Sequence, residues 1–185
     1  DTVNRVCSFF EPEFETAHIE YDPSKAETIL DQIGLNRKGP SGWRSLPNGQ
    51  TLVITLDVFQ NPAYERTAEL LKEYWRSVGI LLNYRTLQGA LINMRVSGNK
   101  FDLIGYPNDC ATDVMVLNQP VYGIQYWAPL WYLWLQTHGT QREWGEEPPL
   151  QIKRLHGIWS RMRRTTDGEE RIRLGKQLIR SQAEN

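Results

Sequence analysis

Between Thr51 and Gly105 the chain alternates between short apolar runs and amphipathic helical stretches. Thr51 to Phe59 is rich in β-branched and apolar residues and reads as a strand. Asn61-Pro62 is a helix start, an N-cap side chain followed by a proline at the first helical position. Ala68, Leu71, Trp75 and Val78 then recur at helical spacing, and Gly79 supplies the stop. Ile80 to Leu87 is the next strand, Ala90 to Val96 the next helix before Gly98, and Phe101 to Gly105 a third strand. Helical crossovers between short strands predict an α/β fold with a central, mostly parallel sheet flanked by helices. Ligands of such sheets sit beyond the carboxyl ends of the strands. That directs attention to the segment after Gly105, which holds Tyr106, Asn108, Asp109 and Asp113.

The flanks are less regular. Residues 1–20 lack periodicity and read as an irregular lead-in. Asp22-Pro23 opens a helix with Ala26, Ile29, Leu30 and Ile33 on one face, closed by Gly34. Asn36 to Gln50 is loop, with a hairpin turn expected at Pro47-Asn48-Gly49. From Asp113 to Pro148 the regular pattern is confined to a short helix over Pro129 to Gln136. Two helices end the chain, the first with a stripe of Leu150, Leu155, Ile158, Trp159 and Met162. The second is introduced by Thr166-Asp167-Gly168-Glu169, which fits a capping box, and carries Ile172, Leu174, Leu178 and Ile179.

Charge and motif content exclude several functions. Lys and Arg number 21 against 22 Asp and Glu, so no basic surplus drives phosphate-backbone binding. Cys7 and Cys110 fit either one disulfide or two unrelated small apolar residues, and with three scattered histidines a zinc site is not expected. No cofactor is expected, since G-x-G-x-x-G and Walker patterns are missing, and no G-x-S-x-G marks a serine nucleophile. Asp109 and Asp113 are candidates for a carboxylate pair of the kind glycoside cleavage uses, but the sequence gives them no pairing geometry, and short acids in loops more often cap turns and helices. The run Tyr122 to Leu135 is too short to span a bilayer. Most of its aromatics lie at helical spacing and read as core, whereas Tyr126 and Trp127, just ahead of that helix, are candidates for a ligand wall. The arginines and lysine of 153–164 read as a solvated face.

Four stretches together carry a resemblance: HIEYDPSKAETILDQIGL, GWRSLPNGQTLVITLDVF, AYERTAELLKEYWRSVGILLNYRTL and VSGNKFDLIGYPND. Leu70, Leu71, Gly79 and Ile80, and the Gly98-Asn99-Lys100-Phe101-Asp102 step, match its pattern, and the tail from Ala128 resembles one of its branches. Over Ala17 to Asn185 the chain resembles the extracytoplasmic solute-binding proteins of ABC importers, family 5, which take oligopeptides, dipeptides, nickel and certain oligosaccharides. The resemblance implies a periplasmic-binding-protein-like (type II) lobe, with residues 1–185 as the second large lobe of a clamshell. The partners it implies are a peptide or oligosaccharide ligand, permease subunits and the other lobe. It also implies no catalysis and a periplasmic or extracytoplasmic, membrane-anchored location. An acid after the third strand holds the ligand amine in peptide-binding relatives, a role that falls on Asp109 or, failing it, Asp113, with Tyr106 and Asn108 beside it. Trp127 is the matching stacking residue for a sugar. The loop's Pro-Asn-Asp-Cys departs from a plain peptide-type motif. A glycan-active hydrolase using the loop acids is the competing reading, and a receptor or chaperone-like domain without a transport role a third.

Overall fold

The structure is a computed structural model that describes residues 3–105, 112–119, 123–140 and 143–184. The chain forms two compact units, one of residues 20–96 and 100–107, the other of residues 1–19, 97–99 and 108–185. From sequence, residues 1–185 are expected to be one lobe.

The first unit contains helix α2 (Pro23–Gln32), strand β1 (Val53–Phe59), helix α3 (Pro62–Ser77), strand β2 (Leu81–Leu87), helix α4 (Gly89–Ser97) and strand β3 (Leu103–Gly105). The strands pair in the order β2-β1-β3, both pairs parallel, as the alternation requires. Both caps form as read: the side chain of Asp22 accepts from Lys25 N at 2.9 Å and that of Asn61 from Ala63 N at 2.9 Å. Leu56, Val58, Ala68 and Leu82 are the buried centre, with Leu71, Trp75 and Leu103 packed against them. The Pro47-Asn48-Gly49 turn also forms, with Gly49 at φ 84° and isolated antiparallel bridges at Lys38–Arg44 and Ser45–Thr51. Arg44, fully buried, fixes this hairpin by donating to Val78 O at 2.7 Å and pairing with Asp31 of α2. Gly79 permits the approach: its φ is 85°, and a Cβ there would lie 3.0 Å from Gly42 O. One expectation is only half met. No residue of α2 is fully buried, and Ile29 and Ile33 of its apolar face are exposed.

The second unit contains α1 (Pro12–Glu15), α5 (Asp113–Asn118), α6 (Ile124–Trp127), α7 (Pro129–Gln136), α8 (Leu150–Arg164) and α9 (Gly168–Ala183). Apart from α1, residues 3–20 have no regular structure, yet Val3, Cys7, Phe9 and Phe14 are buried against Val116, Trp159, Met162, Leu174, Leu178 and Ile179. Long-range burial, not local periodicity, orders that segment. Leu150 and Ile172, assigned to apolar stripes, are exposed at their outer edges. The N-cap of α9 is Asp167, one residue past the Thr166 of the expected capping box. Its carboxylate accepts from Glu169 N at 2.9 Å and Glu170 N at 3.3 Å, a stronger acceptor than a hydroxyl for N–H groups at a helix start. α5 has six residues and a single buried side chain, Val116, too little repeat for the sequence to show it.

Candidate functional site

In the sheet unit, the carboxyl end of β1 holds the least expected group. Asp57, in the run VITLDVF, is 1% exposed. Its register partner on β2 is Arg85, whose Nε donates to Oδ1 at 2.7 Å, while Arg95 of α4 donates through Nε to Oδ2 at 2.7 Å. One buried carboxylate therefore binds two cations that keep 45% and 25% of their side chains in solvent. Sequence reasoning passed over it; the signal was an acid at an inward strand position between Leu56 and Val58. Beside it β3 ends at Gly105, where a Cβ would lie 3.0 Å from Val58 Cγ1, so the strand approaches β1 closely at the point where it leads into the candidate loop.

Of the residues expected in that loop, Tyr106, Asn108 and Asp109 lie outside the described residues, as does Cys110. Asp113 is described, in the helical unit. It opens α5, and its Oδ1 accepts from Ser8 N at 2.8 Å. Burial works to raise its pKa, but hydrogen bonds from the Cys7 thiol and Ser8 outweigh it and hold the carboxylate below its ordinary range. Cys7 is a free, buried thiol pushed up to about 12, by burial first and by the Asp113 carboxylate second. Asp113 thus ties residues 7–8 to α5.

Tyr126 and Trp127 are neighbours on α6, which starts at Gly123 with φ 84°. Trp127 is 46% exposed and meets the edge of Trp131 at 6.0 Å, with planes at 88°. The T-shaped contact fixes the indole and leaves much of it open. Trp131, Tyr132 and Trp134 instead pack around Ile124 and Leu135 with Ile152 and Leu155, the core role expected of most of this run. Among the described residues no three His, Cys, Asp or Glu side chains are grouped to share a metal ion, and no helix is long and apolar enough to cross a membrane.

The family described as bacterial extracellular solute-binding proteins, family 5 middle region, matches residues 3–114. Among solved structures, the fold is similar to an oligopeptide-binding protein, OppA, with TM-score 0.80 and 26% identity over 100% of this chain and 31% of that one. It is also similar to the periplasmic binding protein MelB of Agrobacterium fabrum C58 in complex with stachyose (TM-score 0.77, 18% identity, 99% of this chain and 27% of that one). A mannohexaose-bound periplasmic oligopeptide-binding protein of Thermotoga maritima gives TM-score 0.67 at 17% identity, over 95% of this chain and 32% of that one. The chain spans about a third of the length of these proteins. No curated protein matches it by sequence. The sheet and its flanking helices are those of a type II periplasmic binding protein.

Proposed function

Because this chain belongs to the family 5 bacterial extracellular solute-binding proteins of ABC importers, we propose that it is the ligand-gripping lobe of a receptor that captures oligopeptides outside the cytoplasmic membrane and passes them to a permease. The observation that carries the peptide reading is the likeness to an oligopeptide-binding protein along the entire chain at 26% identity. On this reading the rest of the receptor closes over the ligand, and the full-length protein is anchored to the membrane. Asp109, after β3, receives the ammonium group of the peptide, with Tyr106 and Asn108 lining the same loop and Asp113 holding the loop's far end in place. Trp127, held edge-on by Trp131 with its indole open, packs against a ligand side chain. The same open indole supports a second reading, an oligosaccharide ligand whose sugar ring stacks on it. None of the comparisons supports a glycan hydrolase.

The test is calorimetric titration of the full-length receptor with short peptides and with oligosaccharides. Asp109→Asn should weaken peptide binding by about 1.5–3 kcal/mol, the worth of a hydrogen bond to a charged group. Trp127→Ala should weaken a saccharide more than a peptide. Peptide affinity unchanged in Asp109→Asn would remove Asp109 from the site, and binding of sugars alone would replace the first reading by the second.

A further inference from the structure

A second set of side chains, within the helical unit, bears no relation to the solute residues named above. Where the end of α7 meets the later turns of α8 there is a cleft of about 400 Å³. Its polar lining is Gln136, His138, His156, Ser160, Arg163 and Arg164; Leu135 and Trp159 supply the rest. No acid lines it.

Two cations stand in this lining. Arg161, on the same helix, is neutralised by Glu170, and Lys153 by Glu147. Arg163 and Arg164 have no carboxylate partner among the described residues. Arg163 lies over the Trp159 ring at 4.8 Å from its centroid, which holds the guanidinium at the cleft while leaving its N–H edge available. His156 packs on the same indole, with ring centroids 5.4 Å apart. His138 reaches the cleft from a left-handed position, φ 50°, that turns the chain out of α7, and Gly139 follows at φ 72°. The indole N–H of Trp159 is itself buried without an acceptor. Donors from two helices and one turn therefore converge on a space with no carboxylate among its described lining residues.

A single carboxylate is satisfied by one guanidinium fork, whereas a tetrahedral oxyanion accepts bonds on several sides. We propose that this cleft binds a phosphate oxyanion, with Arg163 and Arg164 as its main charge partners and His138 and Ser160 completing the cradle. The group comes either as free phosphate or phosphomonoester, or as the headgroup phosphate of an anionic lipid; a receptor that works beside a membrane meets both.

Two arms distinguish them, each using the whole chain. In the first, inorganic phosphate is titrated at ionic strength held constant with sodium chloride, following the His138 and His156 ring resonances by NMR. Saturation with a Kd on the order of 1 mM is expected, and Arg164→Gln should weaken it about tenfold, the loss of one charge-assisted bond. In the second, flotation is measured with phosphatidylglycerol vesicles and with phosphatidylcholine vesicles. Selective flotation with the anionic lipid that Arg164→Gln and His138→Gln reduce, without a response to inorganic phosphate, assigns the site to a headgroup. Arg164 is exposed, so its substitution leaves the core intact; thermal unfolding of each variant checks this. A phosphate response no larger than that to chloride, together with no selective flotation, overturns the proposal. So does binding in either arm that survives both substitutions.

Discussion

Asp57 shows how much one residue sets here. A carboxylate buried in a strand is tolerated only because Arg85 and Arg95 each donate a 2.7 Å hydrogen bond to a separate oxygen. Removing the acid leaves two guanidinium groups with no partner for their Nε, though both are partly in solvent and relax outward. Asp57→Ala should therefore cost about 2–4 kcal/mol, near the lower part of the range for breaking buried pairs. Arg85→Ala should cost less, about 1 kcal/mol, because Asp57 keeps Arg95. Urea denaturation of both variants checks the order, and an equal loss would show that the two arginines do not share the carboxylate. At the same scale, the cap residues Asp22 and Asn61 were legible in the sequence because capping depends on three or four consecutive residues. The partners of Asp57, 28 and 38 positions away, were not. Asp113 is the converse case: a ligand acid by position, it is engaged by Ser8, 105 residues away, and by the neighbouring Cys7.

Among elements, α9 shows how a helix is fitted to its neighbour. Gly175, in its interior, is a poor helix former, costing about 1 kcal/mol against alanine. Yet a Cβ there would stand 2.3 Å from the Phe9 ring, which is buried to 1% exposure in the core. The glycine lets the N-terminal segment pack directly onto the helix. Gly157 of α8 has no atom near its missing Cβ. The two positions should respond with opposite signs: Gly175→Ala destabilising by about 1–3 kcal/mol through overpacking, Gly157→Ala stabilising by about 0.5–1 kcal/mol. Chemical denaturation of the pair checks this, and stabilisation at both would mean that Phe9 moves aside freely. The helix and strand pattern itself was readable, since α2, α3, α7, α8 and α9 carry caps or a 3.6-residue repeat. α1 and α5 were not, being too short to display a period.

For the molecule as a whole, stability should respond to pH asymmetrically. Glu170 is held down to about 2 by hydrogen bonds from Arg173 and Arg161, and Glu11, Glu15 and Glu27 are lowered by Arg180, Arg5 and Lys38. A carboxyl group with a depressed folded-state pKa stabilises above its unfolded value and loses that contribution as pH falls through the folded one. Thermal unfolding should thus decline gently below about pH 6.5, where burial keeps the His156 imidazole neutral in the folded state, and fall more steeply from about pH 4.5 toward 2. High salt should shrink this fall, because the pairs lie at the surface; a midpoint constant down to pH 2 would contradict the ion-pair assignments. By itself the sequence determined the alternation of strand and helix, the parallel sheet and the family, because periodicity, caps and turn glycines act over a few neighbouring residues. Tertiary structure alone decided which groups lose water: that Asp57 and Arg44 are buried and paired, that residues 3–14 belong to a core, and that Trp127 stays open while Trp131 and Trp134 do not. Burial depends on what distant segments cover, and no local pattern encodes that.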